Sequence, residues 1–298
     1  MNQEQVRAEL GAMMEQQKVS LNAISKAVGI STSAISQWLA GKYAGDSAKV
    51  AEAISQFLQR SRERKQQPKR SIGFITTSAV RKYWEAAKLC HLDGEIGIVS
   101  GDAGLGKTEA ASEYARRNSD VILIEVDLGY TARVLFRELH RKLGGDGNGG
   151  ISDLKDDVIK KLRKSGRLII VDEAEHLPYR ALELLRRLND KAGVGLLLAG
   201  MPRLINNLRG KKGEYAQLYS RVGVHVRLLP LTQHDADEIV KSLLPDASAA
   251  VCKAYYEAST GNTRVLAKLL MRSLRVAEIN SAKITPELVH ETVKMLII

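Results

Sequence analysis

The stretch "GDAGLGKT", residues 101–108, places glycine, lysine and threonine in the spacing G-x-x-x-x-G-K-[ST]. That spacing suits phosphate chemistry. The glycines let a loop close with its amides turned inward, the lysine reaches the outer phosphates of a nucleotide, and the hydroxyl sits on a divalent cation. Gly101, Asp102, Ala103, Gly104, Leu105, Gly106, Lys107 and Thr108 together form the candidate site for ATP and Mg²⁺. A glycine-rich turn with a surface lysine is the competing reading. The flanks speak against it, because "IGIVS" reads as a strand and "EAASEYARR" as a helix, and the motif requires that context.

A second acidic stretch, "RLIIVDEAEHL", closes an apolar strand with Asp172 and Glu173. Asp172 is the expected second holder of Mg²⁺. Glu173 is the expected base that orients and deprotonates the attacking water. A helix N-cap pair after a strand is the alternative for these two. Glu175 and His176 follow, as a relay to Glu173 or as packing at a helix start.

The elements that position these groups follow from the pattern around them. "EIGIVSG", "VILIEVDL", "RLIIVDEA", "VGLLLAGM" and "GVHVRLLPL" are short apolar runs separated by helical ones. That alternation predicts an α/β fold with a parallel sheet covered by helices on both faces, over residues 71–229. Residues 230–298 read as a small helical domain, opened by Thr232 as an N-cap in "LTQHDADEIV". Residues 1–58 read as helical throughout. Residues 59–70, charged, Gln-rich and carrying Pro68, read as a basic linker. "LGGDGNGG", residues 143–150, reads as a flexible connector between helices.

Within the first segment, "VSLNAISKAVGISTSAISQWLAGKY" has the layout of a helix-turn-helix. Ser20 and Ser31 or Thr32 serve as caps, Gly29 serves the turn, and Ile35, Trp38 and Leu39 face inward. The outward residues Thr32, Ser33, Ser36 and Gln37 are candidates for DNA contact, with Lys42 and Tyr43 reaching phosphate. Docking to protein is the other use of such a helical pair.

Net charge is +11, and residues 61–70 hold five Lys/Arg against one Asp/Glu. The excess fits a polyanionic partner such as nucleic acid, or a solvated basic surface. Cys90 and Cys252 are far apart and outside any CxxC, as expected of free thiols in a reducing compartment. No apolar run has the length to span a bilayer, and "MNQEQVRAEL" lacks the pattern of a signal peptide. A cytoplasmic protein without a membrane partner is the expectation.

From Gly101 to the C-terminus the order of motifs resembles that of the AAA+ ATPases. In that family the strand ending "LLLAGMP" presents a polar sensor. Here it runs into Gly200-Met201-Pro202, which leaves Asn206 or Asn207 as substitutes. The resemblance implies that Arg264 in "GNTRVLAKLL" bends back onto the nucleotide. It also implies that Arg221 in "YSRVG" acts in trans, reaching the γ-phosphate of a neighbouring subunit in an ATP-dependent homo-oligomer. An ion pair with Glu214 is the structural alternative for Arg221, and Arg227 reads as a strand residue.

Across nearly the whole chain, the combination of helix-turn-helix, basic linker, "GDAGLGKTEAASEYARR", "LIIVDEAEHL", "LYSRV" and lid resembles the Mu B-type transposon target-selection ATPases. That resemblance implies assembly on double-stranded DNA with little sequence preference, as a filament or ring. It further implies delivery of the DNA to a transposase and disassembly on hydrolysis, in a host cytoplasm if the chain is phage-encoded. Candidate DNA contacts are then Arg133, Lys160, Lys161, Arg163, Lys164, Arg209, Lys211 and Lys212. The family is basic where this chain has "GGDGNGG", so a displaced contact surface is expected. A replication initiator or helicase loader, and an ATP-regulated helix-turn-helix transcription regulator, are the alternative functions. A secretion-linked ATPase would be expected to carry a membrane or peptidoglycan-binding segment.

Overall fold

The computed structural model describes residues 2–66, 72–210 and 219–296. It divides into two compact units, Met1–Ser71 and Ile72–Ile298.

The first unit holds helices α1 (Gln3–Gln17), α2 (Leu21–Val28), α3 (Thr32–Leu39) and α4 (Ser47–Gln66). Ser20 and Ser31 cap α2 and α3 through their side chains, as the sequence suggested. Gly29 ends α2 at φ 70°. Leu10, Ile24, Ile35, Trp38 and Ile54 are fully buried and join the four helices. Trp38 belongs to this core, and its indole N–H donates to the Ser47 carbonyl at 3.2 Å. Residues 59–66 do not form a linker. They continue α4, because Gln, Arg, Glu and Lys are good helix formers and no breaker occurs before Pro68. Arg60 bonds Gln56 one turn back, and Arg62 pairs with Glu9.

The second unit opens with α5 (Ser78–Asp93). It continues β1 (Ile96–Ser100), α6 (Lys107–Arg117), β2 (Val121–Glu125), α7 (Ala132–Lys142), α8 (Ile151–Leu162) and β3 (Leu168–Asp172). A 3₁₀ turn (Ala174–His176) leads to α9 (Tyr179–Ala192), β4 (Gly195–Gly200), α10 (Arg203–Arg209) and β5 (Val222–Arg227). The strands form one parallel sheet in the order β2-β3-β4-β1-β5. Alternate residues feed two cores. Ile96, Ile98, Ile169, Val171, Leu196 and Leu198 face the helices α7 to α10, whereas Val99, Leu168, Ile170, Leu197 and Ala199 face α5 and α6. A strand buried on both faces must be apolar at every position, which is why these runs show no polar alternation.

Four helices complete the unit: α11 (Gln233–Leu243), α12 (Ala249–Ser259), α13 (Thr263–Ile279) and α14 (Pro286–Val293). They share a third core around Ile239, Tyr255, Leu266 and Leu270, against which Ile72 and Ile75 also pack. Thr232 caps α11, as its sequence suggested, and forms a capping box with Asp235. Asp235 also accepts from the Ser78 backbone N–H at 2.7 Å and from its hydroxyl at 2.5 Å, which ties this helical lid to the start of α5.

The glycine-rich segment 143–150 is no loose connector. It wraps His140, with Gly145 N–H donating to the His140 carbonyl at 2.9 Å and Gly147 N–H to Nδ1 at 3.0 Å. With Nδ1 accepting, the ring proton sits on Nε2 and donates to Asp157 at 2.8 Å.

Candidate functional site

The carboxyl ends of the parallel strands open onto a cleft of about 520 Å³. Its floor is the loop between β1 and α6. Gly104 adopts φ 84°, and a Cβ there would lie 2.3 Å from the Asn262 side chain, so only glycine fits. Gly106 at φ 87° starts α6 and turns the first amides of the helix toward the cleft.

Lys107 lies across this loop, its ammonium donating to the carbonyls of Gly101 at 2.7 Å and Asp102 at 2.9 Å. Burial pushes its pKa below the usual lysine value, and the nearby Asp172 and Glu175 carboxylates oppose that shift. Thr108 Oγ1 donates to Asp172 Oδ2 at 2.6 Å. Asp172 is buried, and its other oxygen, Oδ1, has no hydrogen-bond partner. A buried, unpaired carboxylate oxygen beside a hydroxyl is the donor set that a hard divalent cation takes, so these residues fit Mg²⁺.

Glu173 follows in the left-handed conformation at φ 56° and ψ 33°, uncommon for a non-glycine residue. Its side chain is half exposed, with Oε2 3.6 Å from His176 Nε2. Glu125, at the end of β2, pairs in register with Asp172 and lines the same cleft. Arg203 at the start of α10, and Arg264 and Lys268 of α13, also line the cleft and supply positive charge to it.

The lid is fastened to the loop by Asn262. Its Oδ1 accepts from Arg264 N–H at 3.0 Å and Val265 N–H at 3.1 Å, capping α13. Its Nδ2 donates to the Ala103 carbonyl at 3.0 Å, and Arg264 N–H also reaches the Gly104 carbonyl at 3.1 Å. Beyond Gly106, Thr263 and Ala267 lies a second, mostly apolar cavity of about 280 Å³, lined by Ile72, Phe74, Ile75 and Leu105. Residue-type reasoning overlooked Asn262, Glu125, Arg203, Lys268 and this cavity. The available signals were a cap residue before a helix, an acid ending β2, and the apolar "SIGFIT" run ahead of α5.

The structure thus brings Gly104, Gly106, Lys107, Thr108, Asp172, Glu173 and Arg264 to one cleft. Ala103 also lines it, while Leu105 turns into the core beside α5. Neither asparagine considered as a sensor lines this cleft. Asn207 spends its amide on the Glu175 carbonyl at 3.0 Å. Arg221 stands outside its own chain's cleft, exposed, with Nε 3.9 Å from Asp190 Oδ1. Glu214 lies outside the described residues.

The basic candidates divide. Arg133, Lys160, Lys161, Arg163 and Lys164 are exposed on α7 and around the end of α8. Arg133 donates to the Gly149 carbonyl at 3.1 Å, and Lys161 pairs with Asp157 at 3.3 Å. Arg209 lies over the Tyr219 ring and donates to its hydroxyl at 2.8 Å. Lys211 and Lys212 lie outside the described residues. In the helix-turn-helix, Ser33, Ser36, Gln37 and Lys42 are exposed and Thr32 is half-buried. Tyr43 packs on the core of its own unit.

A model described as "AAA domain" matches residues 91–208, and one described as "Helix-turn-helix" matches residues 10–64. Among solved structures, the fold is similar to the ORC1 protein of Aeropyrum pernix, solved in complex with DNA. The TM-score is 0.56 at 16% identity, over 74% of this chain and 66% of that one. It is also similar to the RuvB Holliday junction branch migration motor of Thermotoga maritima, with a TM-score of 0.50 at 19% identity, covering 73% of this chain and 68% of that one. Sheet order, phosphate loop and lid define an AAA+ nucleotide-binding domain. The chain is 33% identical over 227 residues to the ATP-dependent target DNA activator B of Escherichia phage Mu, covering 74% of this chain and 72% of that protein. It is 27% identical over 225 residues to the Mu-like prophage FluMu DNA transposition protein B of Haemophilus influenzae, covering 74% and 78%. The chain belongs to the family of the phage Mu target DNA activator B. Among the described residues no helix is long and apolar enough to cross a membrane.

Proposed function

We infer that the chain is an ATPase that assembles on double-stranded DNA and presents that DNA to a transposase, with hydrolysis driving disassembly. The observation that carries this reading is the 33% identity to the phage Mu activator, in a chain whose cleft is lined by Gly104, Gly106, Lys107, Thr108, Asp172 and Glu173.

The residues divide the work as follows. The amides of residues 101–106 and the Lys107 ammonium hold the phosphates of ATP. The apolar cavity beside Gly106 has the size and character to take the base. Thr108 and Asp172 would hold Mg²⁺, which supplies neutralising charge to the phosphates when bound. Glu173 orients water and accepts its proton. Arg264, reaching the cleft from the lid, closes the lid over the nucleotide.

Arg221 completes a neighbouring subunit's cleft. Its exposure and its loose contact with Asp190 leave it available for that role. Such an arginine is worth about 10³–10⁵ in rate. ATP then acts as the contact between subunits, and assembly aligns many weak basic contacts along the duplex, so that they act together. Arg133, Lys160, Arg163 and Lys164 are the exposed cations of the ATPase unit offered to DNA. Ser33, Ser36 and Gln37 are offered by the helix-turn-helix. The setting is the cytoplasm of a host cell.

Negative-stain electron microscopy on random-sequence linear duplex tests the reading. With ATP, long arrays coating the DNA are expected, and with ADP, or with Lys107→Ala, bare duplex. Discrete particles at one place on the duplex would replace target capture with an initiator or regulator.

A further inference from the structure

The C-terminal end of β4 points into the cleft, yet Gly200 and Met201 offer it no polar side chain. The reason is steric. A Cβ on Gly200 would lie 2.1 Å from Glu175 Oε2, so the space beside the strand end is already filled by a carboxylate. Glu175 is almost wholly enclosed, its side chain 3% exposed, and Asn207 holds its carbonyl from α10. Its Oε2 has no hydrogen-bond partner. A buried carboxylate with an unpaired oxygen is costly to keep. An anion here cannot itself bind phosphate. It can only hold a cation.

That cation is Arg203. Its Nη2 lies 3.6 Å from Glu175 Oε1 and 3.3 Å from His176 Nε2. Its side chain is 54% exposed and lines the same cleft as Lys107, Thr108 and Glu173. The guanidinium carries five donors in a fork that suits phosphate oxygens. Because it donates to His176 Nε2, that nitrogen is unprotonated and cannot donate to Glu173, 3.6 Å away.

We propose that Arg203, positioned by Glu175, reads the terminal phosphate of the nucleotide and so replaces the polar side chain that β4 lacks. A third phosphate group reaches the exposed edge of the guanidinium while Glu175 holds the other, and a diphosphate stops short of it. When Arg203 turns to the phosphate it leaves His176 Nε2, which can then take up a proton from solvent and donate to Glu173. Nucleotide state is thereby passed to the residue that handles water. This inference rests on the nucleotide-site reading.

The test is equilibrium binding of fluorescent ADP, with competition by a non-hydrolysable ATP analogue, across Arg203→Ala, Arg203→Lys, Glu175→Gln and the double variant Glu175→Gln/Arg203→Ala. Thermal melts confirm that each variant is folded. Arg203→Ala is expected to weaken the ATP analogue about tenfold, the loss of one charge-assisted contact, with ADP affinity held within about twofold. Arg203→Lys restores part of the difference. Glu175→Gln keeps the volume beside Gly200 but lowers the ATP-to-ADP preference. The double variant falls no further than Arg203→Ala alone, as residues acting through one another require. An unchanged preference in Arg203→Ala, or additive losses in the double variant, overturns the proposal while leaving the nucleotide site intact. Failure of the wild-type protein to bind either nucleotide overturns both.

Discussion

Replacing Asn262 with alanine removes three contacts at the joint between lid and phosphate loop. The helix α13 loses its N-cap, worth about 1 kcal/mol. The bond to the Ala103 carbonyl is lost as well, worth about 1 kcal/mol net. The joint is then weaker by about 2 kcal/mol. For a unit the size of Ile72–Ile298 that lowers Tm by roughly 4–8 °C. Where the nucleotide binds only the docked lid, the same energy weakens binding by up to about thirtyfold. Asn262→Asp separates the two effects. Aspartate caps as well as asparagine does, but it cannot donate to Ala103. Its Tm should fall by half as much or less, while nucleotide affinity still drops about fivefold. Gly104→Ala adds a third arm, since its Cβ meets the Asn262 side chain at 2.3 Å. Gly104→Ala/Asn262→Ala should recover the steric part of that loss and retain about 1–2 kcal/mol of left-handed strain. Thermal melts and titration with fluorescent ADP give the numbers. If Asn262→Asp binds ADP within twofold of wild type, the lid and the loop are not coupled through this residue.

Other predictions follow from the same geometry. Lys107→Ala should abolish ATP-dependent DNA binding in a filter or gel assay. Arg221→Ala should keep ATP binding and lose both assembly and DNA-stimulated hydrolysis, and normal hydrolysis on DNA would remove the finger assignment. Asp235→Asn should cost about 3 kcal/mol in urea unfolding, because the Ser78 amide, the Ser78 hydroxyl and Thr232 all donate to its carboxylate. Burial alone would raise the Asp235 pKa, but those donors outweigh it and hold the carboxyl below the usual range. Its stabilising effect is therefore full above the unfolded value of about 3.9, and fades as pH falls through the depressed folded value. Wild type should lose stability in that acid window more steeply than Asp235→Asn. Burial pushes the Cys90 thiol up to about 12 and raises that of Cys252 as well. At pH 8 a thiol with such a pKa is ionised to about one part in 10⁴. Neither cysteine should react with a disulfide reagent until the protein unfolds, and a fast native reaction would contradict their burial.

The sheet was legible because β1, β3 and β4 are buried on both faces and so are continuous apolar runs, and the phosphate loop was legible because its spacing is local. What escaped was set by tertiary contact. Residues 59–66 carry charge and glutamine, which read as linker, yet these types also build helices, and Arg62 finds Glu9 on α1. The glycines at 145 and 147 read as flexibility, but a Cβ at 145 would meet the His140 ring at 2.1 Å, and one at 147, which sits at φ 78°, would meet the Arg141 side chain at 2.5 Å. Gly200 read as a missing sensor. Its meaning rests on Glu175, twenty-five positions earlier in sequence and adjacent in space. Asn262 read only as part of the approach to Arg264, since its partner Ala103 is 159 residues away.

Arg221 posed the same difficulty, because its acidic neighbour, Asp190, is on α9 and not nearby in sequence. The pair invites a purely structural account, and a single substitution separates that account from a role in trans. Asp190 also bonds Arg186, but Arg186 keeps two bonds to Glu183, at 2.7 and 2.8 Å, if Asp190 is neutralised. Asp190→Asn therefore releases Arg221 without stranding another charge. An exposed pair at 3.9 Å holds no more than about 1 kcal/mol. If Arg221 serves a neighbouring subunit, its release favours assembly, and the protein concentration needed for ATP-dependent assembly should fall by up to about fivefold. If Arg221 serves only its own chain, the same change removes its partner, and Asp190→Asn should weaken the protein in the direction of Arg221→Ala. The two accounts differ in sign, so light scattering of assembly against protein concentration, with ATP and duplex DNA present, decides between them.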